Sequence, residues 1–151
     1  MSQRNGTDCG PTAVINALKW AGLDATFKKS GKKARELCKW EPNGGGCYTT
    51  NILNSLRVMS KGRLIITRYA CTPKSVMDAI SDGAAAFVMH RAYDNIGHIT
   101  FTTGIDNPWV PFMMVNAQLR KDGPTCIRLT ERRFRHLLRK HTTEAYIITR
   151  K

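Results

Sequence analysis

Residues 3–12 of this 151-residue chain read Gln-Arg-Asn-Gly-Thr-Asp-Cys-Gly-Pro-Thr and give the strongest indication of its fold. Gly10 and Pro11 suit the first turn of a helix, because glycine tolerates unusual backbone angles and the missing N–H of proline costs nothing there. Apolar residues then recur at helical spacing: Val14, Ala17, Leu18 and Ala21. Cys9 would therefore lie at a helix N-terminus, where unpaired N–H groups and the helix dipole favour a thiolate. The alternative is a small buried cysteine with no chemical role.

Gln3 lies six positions ahead of Cys9 and adds a second part of the same chemistry. Its side-chain amide would donate to the oxygen of a carbonyl under attack by the thiol, together with the N–H of Cys9. We therefore predict Gln3 as an oxyanion-hole residue.

A base and its partner come about ninety residues later. The stretch Gly97–Gly104 alternates apolar and polar residues and is rich in β-branched side chains, which predicts a strand with His98 at its start. A second predicted strand, residues 109–115, ends next to Asn116. His98 would take the proton of Cys9 and later protonate a leaving amine, while Asn116 would hold the imidazole in a usable tautomer.

The order Gln, Cys, His, Asn resembles that of papain-like cysteine peptidases. Residues 9–13, Cys-Gly-Pro-Thr-Ala, and residues 97–104, Gly-His-Ile-Thr-Phe-Thr-Thr-Gly, are most similar to a compact branch of that superfamily. This branch includes the bacteriocin-processing, double-glycine-leader peptidases. The resemblance spans nearly the whole chain and implies an α+β papain-like fold. A helical half would carry Cys9, and an antiparallel β-sheet half would carry His98 and Asn116, with the cleft between them.

The resemblance also implies the remaining elements. Helices are expected at residues 46–60, 73–81 and 131–141, and β-segments at residues 64–69, 84–91 and 145–149. The branch usually has Asp-Pro after the second strand of the site, whereas this chain has Val115-Asn116-Ala117-Gln118. Gln118 and Asp106 therefore remain alternatives to Asn116. His90 follows a buried apolar run, and we predict that it is structural or lines the cleft.

Length and composition fit one globular domain, residues 1–151. With 42% hydrophobic and 23% charged residues, the chain is long enough to bury a core. No apolar run reaches the roughly 18 residues needed to span a bilayer, and the polar N-terminus lacks the apolar stretch of a secretory signal. The expected location is the cytoplasm, or the host cytoplasm for a viral or effector protein.

The five cysteines are irregularly spaced, and no Cys-x-x-Cys pair occurs. A disulfide framework or a zinc site needs regular pairs, so we expect no metal and no cofactor. Cys38 and Cys47 flank residues 40–46, and a pairing between them, or metal binding together with His partners, remains open. Cys71 and Cys126 are expected to be small buried hydrophobic residues.

Basic residues are in large excess, with 24 Lys and Arg against 11 Asp and Glu and a formal net charge of +13. Many of them fall in residues 28–35 and in the last predicted helix, which Thr130 would cap. That helix would turn Phe134, Leu137 and Leu138 to the core and its arginines outward. Such an excess favours an anionic partner, nucleic acid or an acidic protein, although a solvated face is the alternative. The oligomeric state is not indicated.

Together these features predict a cysteine peptidase with a Cys9–His98–Asn116 triad, a Gln3 oxyanion hole and a peptide or protein substrate, which the basic charge favours as acidic. The helix N-terminus and a nearby imidazolium are expected to lower the pKa of Cys9 to roughly 3.5–7.5. Two alternatives remain. The same nucleophile can serve a deamidase or acyltransferase acting on a host protein, or the chain can be a basic binding protein with a residual triad.

Overall fold

The structure is a computed structural model, and it describes residues 8–41, 46–69, 72–91, 97–117 and 124–151. Within these ranges the chain forms five helices and six strands. The helices are α1 (Cys9–Trp20), α2 (Phe27–Cys38), α3 (Thr49–Met59), α4 (Pro73–Ser81) and α5 (Glu131–Lys140). The strands are β1 (Leu64–Tyr69), β2 (Ala85–Arg91), β3 (Gly97–Gly104), β4 (Phe112–Val115), β5 (Cys126–Leu129) and β6 (Thr142–Arg150).

The six strands form one sheet in the order β1-β6-β2-β3-β4-β5, and each neighbouring pair is antiparallel. Strand β6 is inserted between β1 and β2, so the end of the chain pairs near the centre of the sheet. The α+β class predicted from the sequence is confirmed, with the antiparallel sheet carrying His98 at the start of β3 and Asn116 directly after β4.

Neighbouring residues on the central strands point to opposite faces of the sheet, and each face has its own apolar core. Phe87 and Phe101 pack against α1, α2 and α3, whereas Val88 and Met114 pack against α4 and α5. The helix that begins at Cys9 belongs to the first layer. The basic helix α5 belongs to the second, on the other side of the sheet.

Local sequence explains where several helices begin and end. Thr130 caps α5 by accepting a hydrogen bond from the N–H of Arg133 at 3.2 Å, as predicted, and Thr26 caps α2 in the same way through Lys29. Gly22, with a φ of 77°, follows the end of α1 in the left-handed conformation that glycine adopts without strain.

Two elements were not predicted, and two begin later than expected, since α3 starts at Thr49 and not at residue 46. Helix α2 was described from the sequence only as a basic run, because its lysines outnumber the buried Phe27, Ala34 and Cys38. Strand β5 has four residues and too little alternation to be recognised. Strand β4 begins at Phe112, and Trp109, which was included in the predicted strand, is 83% exposed. In the described part of the chain, no helix has the length and apolar character needed to cross a membrane.

Candidate active site

Cys9 is the first residue of α1, and its side chain is partly exposed at the helix N-terminus. Its sulfur accepts hydrogen bonds from the N–H groups of Ile99, Gly10 and Cys9 itself. Ile99 directly follows His98 in β3, so the thiol lies against the strand that carries the predicted base. A Cβ on Gly10 would come within 3.0 Å of Ile52 and 3.1 Å of the Cys47 sulfur, which explains why glycine follows the cysteine.

The expected low pKa of Cys9 is not what the structure gives. Burial raises the pKa of this thiol above its ordinary value, and the hydrogen bonds from the three N–H groups only partly offset that effect. The physical reason is desolvation, since a thiolate covered by protein loses its hydration. Burial therefore acts on the pKa of Cys9 in the direction opposite to the one expected from the helix N-terminus.

His98 is buried, and its Nε2 lies 2.6 Å from the main-chain oxygen of Asn116. A carbonyl oxygen can only accept a hydrogen bond, so Nε2 must carry the hydrogen in this contact. In the neutral ring the lone pair is then on Nδ1. This tautomer makes Nδ1 the nitrogen that can take a proton from another group.

Asn116 is brought to His98 as the sequence analysis expected, and the contact to Nε2 is made by its backbone carbonyl. The residue is buried and has a φ of 61°, a left-handed conformation that Asn tolerates better than most residues. Of the two alternatives, Gln118 lies outside the described residues. Asp106 lies beyond the end of β3 at Gly104. Gly104 is six residues after His98, which along a strand corresponds to about 20 Å, so Asp106 is too far from His98 to orient its ring.

A second histidine packs against the first. His90 on β2 is the cross-strand partner of His98, and their rings meet edge to face with centroids 5.4 Å apart. His90 is buried, and its Nδ1 donates to the main-chain oxygen of Arg91 at 3.0 Å. Burial is the main cause that lowers the pKa of His90 to about 4, and the charges of His98 and His141 act in the same direction. His90 is therefore neutral at physiological pH, and its uncharged ring packs against the ring of the candidate base His98.

Sequence reasoning missed the ion pair that supports the nucleophile. Asp8 directly precedes Cys9 and is completely buried, and Arg35 binds it with Nε to Oδ1 at 3.0 Å and Nη2 to Oδ2 at 2.5 Å. The guanidinium also lies over the rings of Phe27 and Trp40. Arg35 had been grouped with the surface charges of residues 28–35. The one available signal was a carboxylate next to the cysteine, which needs a cation if it is buried.

The remaining predicted residues have different outcomes. Gln3 and Cys71 lie outside the described residues. Cys126, predicted to be buried, is exposed on the edge strand β5, because its side chain points away from the core there. Among the described residues, no group of three or more His, Cys, Asp or Glu side chains could hold a metal ion.

Comparisons with known proteins agree on the fold. No protein-family model matches the sequence, and no curated protein matches it significantly. The structure is similar to the peptidase domain of Streptococcus ComA, a bi-functional ABC transporter involved in a quorum-sensing pathway, with a TM-score of 0.65 and 17% identity over 100% of this chain and 97% of that one. It is equally similar to a putative C39-like peptidase from Bacillus anthracis, with a TM-score of 0.65 and 10% identity over 100% and 94%.

The chain therefore has the fold of these two peptidase structures, in agreement with the fold that the sequence resemblance implied. At these identities the likeness concerns the fold. The chemistry rests on the site's own residues: a thiol at a helix N-terminus, a histidine with a fixed tautomer on the adjacent strand, and a backbone carbonyl that fixes it.

Proposed function

We propose that this protein is a cysteine peptidase that hydrolyses amide bonds in a peptide or protein, with Cys9 as nucleophile and His98 as general base. One observation carries the proposal. The Cys9 sulfur is hydrogen-bonded to the N–H of Ile99, next to His98, whose Nε2 donates to the carbonyl of Asn116. The thiol thus lies against the backbone of β3 at the residue that follows His98, and the proposed step is proton transfer from this thiol to the His98 ring. The fold shared with peptidase domains supports the same conclusion.

The order of proton transfer follows from burial. Burial disfavours a free thiolate at Cys9, so in the proposed order the proton passes from the thiol to Nδ1 of His98 as the sulfur attacks the substrate carbonyl. The imidazolium that forms is stabilised at Nε2–H by the carbonyl oxygen of Asn116. His90, which is neutral, adds no second positive charge beside it.

The later steps use the same groups. The carbonyl carbon of the substrate bonds to the Cys9 sulfur, and its oxyanion accepts a hydrogen bond from the N–H of Cys9 and from the amide of Gln3. Nδ1–H of His98 then protonates the amine as the carbon–nitrogen bond breaks. Water attacks the thioester, gives its proton to Nδ1, and releases the acid and the free thiol.

The test is cleavage of a proteome-derived peptide library, with products identified by mass spectrometry. Wild type is expected to produce new termini within a consistent sequence context, and Cys9→Ala is expected to produce none. Cys126→Ala is the matched control, because it removes an exposed thiol at the edge of the sheet. Equal cleavage by wild type and Cys9→Ala would contradict the proposal. Peptides that gain about 1 Da without cleavage would instead identify a deamidase, in which water resolves a side-chain acyl-enzyme.

A second candidate function is binding of nucleic acid through α5. Six of its ten residues are exposed basic or imidazole side chains: Arg132, Arg133, Arg135, His136, Arg139 and Lys140. Thr130, Arg132, Arg133 and His136 line a surface concavity of about 780 Å³. Four of the six side chains are arginines, whose planar guanidinium matches a phosphate group with two hydrogen bonds.

The nucleic-acid proposal is tested by titrating a labelled duplex of arbitrary sequence at several salt concentrations. A variant with Arg132, Arg133 and Arg139 changed to Gln is expected to bind more weakly and to lower the slope of log K against log salt by about 0.9 for each phosphate that is no longer neutralised. Changing Lys28, Lys32 and Lys33 to Gln removes the same charge from α2 and is the control. Equal losses of affinity in the two variants would assign the binding to net charge and not to α5.

A further inference from the structure

Three of the cysteines meet at the N-terminal end of α1. Cys38 is the last residue of α2 and is completely buried, whereas Cys47 precedes α3 and is partly exposed. The thiols of Cys38 and Cys47 are hydrogen-bonded to each other. The Cys47 sulfur also lies 3.1 Å from where a Cβ on Gly10 would be, next to Cys9. Both thiols are reduced in this structure.

The backbone fixes this meeting. Glu41 and Gly46 form an isolated antiparallel β-bridge, with the N–H of Glu41 donating to the oxygen of Gly46 at 3.2 Å. The bridge ties the chain after Cys38 to the chain before Cys47. This bridge brings the chain near the two cysteines together, and both side chains pack against the first core.

The two thiols have opposite proton affinities. Cys38 accepts hydrogen bonds from Cys47 and from the hydroxyl of Ser55, and these lower the pKa of Cys38 despite its burial. Cys47 is the donor, so its pKa is raised. A thiol whose pKa is lowered by a hydrogen bond from a second thiol is the arrangement that favours disulfide exchange in dithiols.

We propose that Cys38 and Cys47 form a reversible intramolecular disulfide, which makes this pair a redox modification site beside the nucleophile helix. The oxidant is a low-molecular-weight disulfide. Cys47, the accessible sulfur, gives its proton to solvent and attacks one sulfur of this small disulfide, and one small thiolate leaves and takes a proton from solvent. Cys38 then loses its proton and attacks the Cys47 sulfur of the mixed disulfide, and the second small thiol leaves. The two cysteines lose two electrons and two protons in total, and the small disulfide gains both.

Closure has a structural consequence for α1. Sulfur atoms in a disulfide are about 2.05 Å apart, much closer than in a hydrogen-bonded pair, so the Cys47 sulfur must move toward Cys38. That sulfur contacts Gly10, and Gly10 directly follows Cys9. The thiol state of the pair is thereby coupled to the backbone that donates hydrogen bonds to the Cys9 sulfur.

The test is incubation of the folded protein with oxidised glutathione, followed by quenching with an alkylating agent and peptide mapping. We expect a peptide linked through Cys38 and Cys47 that is lighter by two hydrogen atoms than the sum of the two reduced peptides, and full recovery with dithiothreitol. Cys126, which is exposed and isolated from this pair, should stop at the glutathione mixed disulfide and serves as the internal reference. In Cys38→Ser, Cys47 should also stop there. In Cys47→Ser, the buried Cys38 should stay reduced.

Two results would overturn the proposal: no linked peptide when Cys126 is fully glutathionylated, or a peptide that links Cys47 to Cys9. Because the wild-type protein provides the decisive measurement, a variant that fails to fold does not affect it. The readout is a mass and does not require Cys9 to be catalytic, so the proposal can fail or succeed independently of the peptidase activity. An unchanged iodoacetamide rate at Cys9 after complete closure would overturn the coupling to α1.

Discussion

The two faces of the sheet are built differently. The helices on one face, α4 and α5, bury only apolar side chains: Val76, Met77, Ile80, Phe134, Leu137 and Leu138. The helices on the other face bury Thr12, Asn16, Cys38 and Ser55 among their apolar residues, and the buried Asp8 lies directly before them. A buried apolar side chain needs no specific hydrogen-bond partner, whereas a buried carboxylate or thiol needs a particular one. The helix that begins at the nucleophile Cys9 lies on the face with specific partners.

Two substitutions test whether activity and stability depend on different residues: one at the candidate base and one in the core under α5. His98→Ala is expected to reduce peptide cleavage by about 10⁴-fold or more, because the thiol of Cys9 loses its base. Phe134→Ala is expected to destabilise the fold by about 3–5 kcal/mol through an unfilled cavity. Library cleavage and urea unfolding measure the two effects separately. An equally strong reduction of turnover per folded molecule in Phe134→Ala and His98→Ala would contradict the view that Phe134 contributes to stability and not to catalysis.

Arg35→Met tests whether the ion pair holds the nucleophile end of α1. It leaves Asp8 buried without its cation, and we expect a loss of about 3–5 kcal/mol in the free energy of unfolding at neutral pH. Lys32→Met on the exposed side of the same helix is the control, with an expected change within about 0.5 kcal/mol. Urea denaturation measures both. Similar small changes in the two variants would mean that Asp8 is satisfied by other groups.

His90 predicts a pH dependence of stability. Its pKa is about 4 in the folded protein and near 6.5 in the unfolded chain, so between these values the unfolded chain binds more protons. The free energy of unfolding therefore rises with pH over this range. This contribution, about 3 kcal/mol at most, is complete above pH 6.5 and is lost as the pH falls through about 4.

The matched variants are His90→Phe and His136→Gln. We expect His90→Phe to flatten the stability profile between pH 4 and 6.5, because it keeps a ring beside His98 without a titrating group. His136 is exposed on α5, and its replacement should leave the profile as in wild type. Urea unfolding across this pH range gives the comparison. A wild-type slope in His90→Phe would exclude His90 as its source.

Substitutions of Asn116 are expected to have the smallest effect on cleavage, and they test whether its backbone carbonyl or its side chain orients His98. Asn116→Gly keeps both the carbonyl oxygen and the left-handed backbone, so library cleavage should fall by less than about tenfold. Asn116→Ala keeps the carbonyl but adds about 1–2 kcal/mol of backbone strain. If Asn116→Gly instead lost about 10⁴-fold, as expected when the residue that sets the imidazole tautomer is removed, the side chain would be the orienting group.

Much of the layout was predictable because it depends on local pattern. The start of α1 at Cys9, the cap of α5 at Thr130 and the alternation of β3 each follow from a few adjacent residues. Helix α2 was missed because lysines mask its short apolar stripe, and Trp109 was misassigned because aromatic residues favour strands. The strand propensity of a residue does not show whether it will lie in an exposed turn.

The sequence by itself determined the nucleophile's position at a helix N-terminus, the α+β class and the strand that carries His98, because hydrophobic periodicity and helix-start signals are properties of neighbouring residues. Tertiary structure decided the rest. Burial shifts the pKa of Cys9 in the direction opposite to the expected one, and a main-chain carbonyl accepts the hydrogen bond from the His98 ring. Arg35 binds the buried Asp8, and the thiols of Cys38 and Cys47 are hydrogen-bonded to each other. Each of these depends on desolvation or on the approach of distant residues, which exist only after the chain has folded.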